Sequence, residues 1–128
     1  VQSAARAFAP HVHASTLTEK GRRRATQFIT ERYEHILAEL VAHQIRGVAA
    51  CVDVESLLPA DWPLDPARVT CPVRIVWGAS DKILPWPGAA SRYRDAFPNA
   101  DRVVLEGVGH CPQLDVPLET AELISRFS

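Results

Sequence analysis

The sequence predicts an α/β fold, with a parallel β-α-β-α unit in its second half and a helical segment before it. Three observations carry this. "VRIVW" at residues 73–77 and "RVVL" at residues 102–105 are short apolar runs rich in β-branched residues, each followed closely by glycine. Between them, residues 87–97 read as a helix that stops before Pro98. Residues 116–127 read as a closing amphipathic helix, with Asp115 as its N-cap and Pro117 tolerated in the first turn. A strand, a helix and a strand in that order imply a right-handed crossover and so a parallel pair. Two parallel strands alone have open edges and too little helical cover, so this unit reads as the end of a larger sheet.

The first half has another rhythm. Residues 1–16 are small and mixed, and Pro10 interrupts any helix there, which leaves a short helix or an irregular segment. From Thr18 and Glu19 to about Ala50 the pattern is helical, because Ile29, Tyr33, Ile36, Leu37, Leu40, Gln44 and Val48 recur at three- and four-residue steps. Gly21 and Gly47 are the points at which such a run would break. On the opposite face Glu31, His35, Glu39 and His43 follow one another at four-residue spacing; solvated i,i+4 pairs account for them without a metal. Pro59, Pro63, Pro66 and Pro72, with Asp61 and Asp65 among them, mark a connecting loop. The expected organisation is a helical segment over residues 1–56 and the α/β part over residues 57–128.

Length and composition bound the function. With 128 residues, 47% of them hydrophobic and 23% charged, the chain has the size and mixture of one globular domain with a modest core. A net charge of -1 provides no field that would draw it to nucleic acid or to an anionic membrane, and the cluster Arg22, Arg23 and Arg24 is too short to do so. No apolar run approaches the roughly 18 residues of a membrane span and no signal peptide opens the chain, so a cytoplasmic protein is expected. Cys51, Cys71 and Cys111 are odd in number and widely spaced, which points to free thiols and to neither disulfides nor a zinc site. The chain opens on Val1 and contains no methionine, so its first residues read as the interior of a longer sequence.

In open parallel sheets, functional side chains gather at the carboxyl ends of strands, and Asp81 and His110 both fall there. An acid beside an imidazole fixes its tautomer and stabilises the imidazolium, which leaves the other ring nitrogen to take a proton from a nucleophile. On "GASDK" alone Asp81 reads equally well as a turn cap; the presence of His110 favours the orienting role. Gly78, Gly107 and Gly109 let both turns fold tightly. Cys111 would be a nucleophile only if its side chain turned the same way as its neighbour's, and consecutive residues usually diverge. Asp115 and Glu106 are alternative acids, accounted for by a helix cap and a strand-end surface charge. Trp86 and Leu84 suit either an acyl pocket or core packing. His11 and His13 have metal-pair spacing but no third ligand, and read as loop histidines.

"CPVRIVWGASDKILP", "PNADRVVLEGVGHCPQLDVP" and the ending "LETAELISRF" resemble the last two strands of the α/β-hydrolase family. The resemblance implies a triad acid in the loop after the penultimate strand, in a W/H-G-x-x-D-x-x-x-P pattern that Asp81 meets. It implies the triad histidine in the loop after the last strand, in a G-x-G-H-x-P-like pattern that His110 meets. The 29 residues from one to the other fit a helix, a strand and their turns. The likeness is specific over residues 67–128. Over residues 1–56 it is positional, since helical segments before the penultimate strand are where the family inserts its cap.

One departure decides what the chain does alone. The family's nucleophile elbow, G-x-S-x-G, is missing: Gly78-Ala79-Ser80 has Lys82 at the fifth position, and Ser80 belongs to the loop of the acid. The expected protein is therefore the C-terminal portion of a serine-type, esterase- or lipase-like α/β-hydrolase acting on an ester, amide or carbon–carbon bond of a small apolar substrate. Asp81 would orient, His110 would be the general base, and the nucleophile and oxyanion hole would lie outside this chain, which would be inactive by itself. No cofactor and no metal is implied. The alternative is a catalytically inert module derived from that fold. In either case the open edge of "VRIVW" predicts a homo-oligomer or pairing with the missing amino-terminal core, with no nucleic acid and no membrane as partner.

Overall fold

The computed structural model describes residues 2–51 and 65–127, which fall into two compact units. One holds the described residues of Val1–Gln27 and Tyr33–Trp62; the other holds Phe28–Arg32 and the described residues of Pro63–Ser128. The expected boundary between residues 56 and 57, with Pro59, Asp61 and Pro63, lies outside the described residues. From the proline-rich loop, Asp65 opens a 3-10 turn, Pro66–Arg68, by accepting the Ala67 N–H at 3.2 Å.

The first unit is helical: α1 Gln2–Phe8, a 3-10 turn Ala9–His11, α2 Val12–Thr16, α3 Glu19–Thr26 and α4 Ala38–Ala50. Pro10 stands at the start of the 3-10 turn, where a missing N–H costs no helix bond. Thr18 caps α3 by accepting the Gly21 N–H at 3.1 Å. Orphan carbonyls at helix ends are met by side chains: Arg22 donates to Thr16 and Leu17 O at 3.2 Å each, Arg6 to Ala49 O at 3.1 Å, and Gln2 to Cys51 O. Val12, Ile36, Val41 and Ala42 make the core of this unit.

The continuous helix expected up to about Ala50 is not formed. Helix α3 stops at Thr26, and residues 27–37 are turns and coil. The physical reason lies within this stretch: the N–H groups of Glu31 and Arg32 each donate at 2.8 Å to the Asp115 carboxylate and are not available to an i→i-4 ladder. The apolar stripe is redistributed accordingly. Leu37, Leu40 and Val48 are exposed, and α4 buries Val41 and Ala42 instead. Glu31 and His35 lie off any helix, so of the four charged positions only Glu39 and His43 share α4. Neither glycine breaks a helix. At Gly21, inside α3, an added Cβ would lie 1.7 Å from the Ser15 carbonyl oxygen, so this residue is small because α2 and α3 meet there.

The second unit contains β1 Arg74–Gly78, α5 Ser91–Ala96, β2 Asp101–Leu105, α6 Pro112–Asp115 and α7 Pro117–Ser125. The strands pair in parallel, in register from Arg74 against Asp101 to Gly78 against Leu105, and are the two strands of the sheet among the described residues. Helix α5 is shorter than the expected 87–97, because residues 86–90 are in turns before it. Its end is closed by Arg102, which donates to the carbonyls of Phe97 at 2.9 Å, Pro98 at 3.2 Å and Arg94 at 3.3 Å. Leu105, Val108 and Val116 form the core, with Val76, Val103 and Leu123 packed against it. Full burial of one such side chain contributes roughly 1.5–3 kcal/mol. Arg74 ties α7 to β1: it pairs with Asp101 at 2.6 Å, donates to Leu123 O at 2.5 Å and lies 4.6 Å over the Phe127 ring. Among the described residues no helix is long and apolar enough to cross a membrane.

Candidate active site

Both strands run out on the same side of the sheet, and their loops are stapled to each other. A Cβ at Gly78 would lie 2.1 Å from the Gly109 oxygen and 2.4 Å from that of Val108, so the second loop crosses directly over the end of β1 and only glycine fits beneath it. Beyond this crossing Ala79 N–H donates to Leu105 O and Ser80 N–H to Val108 O, both at 2.9 Å. Gly107, at φ +65°, turns the second loop in the left-handed region.

This stapling brings Asp81 and His110 together, with Nδ1 of the imidazole 2.9 Å from Oδ2 of the carboxylate. The other oxygen, Oδ1, accepts the N–H groups of Ile83 and Leu84 at 2.8 Å each. The carboxylate is thereby fixed in rotation. Trp77 supports the same loop, donating its indole N–H to Leu84 O at 3.1 Å and packing against the rings of Trp86 and Tyr93. Trp86 thus belongs to an aromatic cluster beneath the acid loop, whereas Leu84 is exposed.

The pair is asymmetric in its exposure. The Asp81 side chain is 5% exposed and that of His110 32%. Burial pushes the Asp81 carboxyl up, but the Leu84 amide, His110 and the Ile83 amide together outweigh it and hold the carboxyl below its ordinary range. Asp81 is thus held as the anion that an Nδ1–H can donate to. Nε2 has no hydrogen-bond partner among the described residues. In the tautomer whose Nδ1–H donates to Asp81, a neutral imidazole leaves Nε2 as an acceptor, the arrangement a general base needs.

The neighbouring thiol is arranged otherwise. Burial, and then the carboxylates of Asp115 and Asp81, push the Cys111 thiol up, away from the thiolate a nucleophile needs. Ser80 has its N–H engaged with the second loop and stands in no strand-to-helix elbow. Glu106 is a surface charge after β2, and His11 and His13 are exposed. Among the described residues no group of three or more His, Cys, Asp or Glu side chains is placed to hold a metal ion.

Asp115 departs from the expected cap. It ends α6, while α7 has Val116 at its N-cap with no side-chain hydrogen bond. The Asp115 residue is 2% exposed. Its Oδ2 accepts the Gly109 N–H at 2.6 Å; its Oδ1 accepts the N–H groups of Glu31 and Arg32 at 2.8 Å each and the Thr30 hydroxyl. Nearby, Cys111 N–H donates to Ile29 O at 2.9 Å, and Lys82 pairs with Glu31 at 2.5 Å. Residues 28–32 therefore form a third wall of the site. Sequence reasoning missed it because Thr30 and Asp115 are 85 positions apart, and nothing local to either signals the other.

Set against known families, the chain matches over residues 2–123 the model described as the alpha/beta hydrolase family. Among curated proteins and among solved structures, nothing matches.

Proposed function

Because the chain belongs to the alpha/beta hydrolase family, we propose that Asp81 and His110 are the orienting acid and general base of its triad. The described residues would then be the C-terminal part of that fold, with residues 1–56 serving as a cap segment and residues 57–128 as core. The observation that carries this reading is the 2.9 Å contact between His110 Nδ1 and an Asp81 carboxylate whose other oxygen is already held by two backbone amides. In the reaction, His110 Nε2 takes the proton of a nucleophile as it attacks a carbonyl, Asp81 stabilises the imidazolium, and the proton passes on to the leaving group. The substrate would be an ester, amide or carbon–carbon bond in a small apolar molecule. The nucleophile and oxyanion hole come from outside these 128 residues, since the sequence contains no G-x-S-x-G.

The test is hydrolysis of p-nitrophenyl esters. By itself the chain should be no faster than its His110→Ala variant, and mixing it with a separately expressed polypeptide that carries the elbow strand should produce a rate dependent on both His110 and Asp81. A His110-dependent burst from the chain alone would contradict the assignment of the nucleophile and direct attention to Cys111.

A second reading, an inert module that assembles through its sheet, is favoured by one observation. Among the described residues β1 has a strand neighbour on one side only. An edge of this kind pairs with any available strand, which supports a homo-oligomer or a complex with an amino-terminal core burying at least about 1,000 Å². Light scattering at micromolar concentration should report a species larger than one chain; a monomer with cooperative unfolding would remove this reading.

A further inference from the structure

We propose that Asp115 is a positioning residue for His110: its buried carboxylate locks the loop carrying the imidazole to residues 30–32 and so sets the approach of the ring to Asp81. The inference rests on the acid–base reading above and adds to it a residue that touches neither the ring nor Asp81. Gly109, immediately before His110, gives its N–H to Asp115 Oδ2 at 2.6 Å, and Cys111, immediately after, gives its N–H to Ile29 O at 2.9 Å. The residues on both sides of the histidine are thus tied to one segment, residues 29–32, Cys111 directly and Gly109 through Asp115. With its backbone fixed in this way, the ring has its own side-chain torsions left to set, and Asp81 sets them.

The fit around Gly109 argues that the position itself is specified. A Cβ there would come within 3.2 Å of Ile29 O and of Thr30 Cα and within 3.3 Å of Asp115 Oδ2, so the loop lies close against the segment. The chemistry of Asp115 is equally restrictive. Its four partners are three backbone N–H groups and one hydroxyl, and Oδ1 and Oδ2 face different walls of the site. A carboxylate, which only accepts, satisfies both walls at once. An amide of the same shape does not. With its oxygen turned to residues 30–32, an asparagine would place NH2 against the Gly109 N–H, donor against donor.

Asp115→Asn therefore tests positioning through a readout that a loss of bulk stability alone does not move, the neutral tautomer of His110, observed through its ring nitrogens by NMR at about pH 8. In the wild-type chain the Nδ1–H form should dominate, because Asp81 accepts from it. In Asp115→Asn the Nε2–H form should appear, as in a histidine free in water, and the Gly109 amide should exchange about tenfold faster while those of Glu31 and Arg32 stay protected. A wild-type tautomer that persists unchanged in the variant overturns the positioning role and leaves the Asp81–His110 reading in place. A wild-type chain without the Nδ1–H preference overturns that reading and this inference together. Should the variant not fold, exchange in the wild-type chain decides: the amides of Gly109, Glu31 and Arg32 should open as one unit with a common denaturant dependence, and independent opening would overturn the clamp.

Discussion

Two buried carboxylates stand within one site, and they are built for different work. Asp81, 8% exposed, spends one oxygen on the backbone of its own loop and turns the other to an imidazole. Asp115, 2% exposed, spends both on fixed donors, joining the loop before His110 to a segment from the other end of the sequence. The difference lies in the partners more than in the burial. A backbone N–H can only donate, so the direction of those bonds at Asp115 is fixed. An imidazole donates or accepts and changes its charge, so the bond at Asp81 can take part in a reaction. Burial and strong hydrogen bonding alone would not have told these two acids apart.

Truncation should separate them most strongly. Asp115→Ala strips the acceptor from three backbone N–H groups and a hydroxyl, and a buried donor left without a partner costs about 1–3 kcal/mol. Water entering the space would recover part of this, so a loss of about 3 kcal/mol or more is expected, read as a lower urea midpoint at an unchanged slope. Asp81→Ala should lose less, since its loop is more open and its other partner, His110, faces solvent. An equal loss at the two positions would break the comparison, because Asp81 would then be as structural as Asp115.

How much of this was legible in the sequence follows the same division. Both strands, their parallel pairing, the α/β class and the adjacency of Asp81 and His110 could be read because each rests on local signals: β-branched runs, glycines at close crossings, and a connection whose handedness is restricted. Gly78 illustrates why, since the crossing that demands glycine is the one that brings the two loops together. The helical half was read less well. Its three- and four-residue periodicity ran through Ile29 and Tyr33 as if one helix continued, but the N–H groups of Glu31 and Arg32 are drawn off by an acid more than 80 positions away. Periodicity records which residues are apolar; it carries no record of a distant carboxylate competing for the backbone. For the same reason Asp115, placed before a proline and an amphipathic run, looked like a helix cap.

The gentlest substitution sharpens the comparison furthest. Asp81→Asn keeps one oxygen for the Ile83 and Leu84 amides and turns NH2 toward His110, which can accept that hydrogen on Nδ1 by moving its own proton to Nε2. At neutral pH the cost should stay below about 1 kcal/mol, far under that of a donor-against-donor clash at position 115. The pH dependence, however, should change. The Asp81 carboxyl is held below its ordinary range in the folded chain. Its contribution to stability is therefore complete above the unfolded value, near pH 4, and is lost as pH falls through the lower folded value. Asparagine has no proton to gain, so the stability of Asp81→Asn should fall less steeply below about pH 4 than that of the wild-type chain. Urea midpoints measured at a series of acidic pH values test this. If the two chains lose stability in parallel, Asp81 is not the acid that the His110 contact and the two amides hold ionised; if the variant is the flatter one, the bond that costs least to alter is also the one whose proton the site controls.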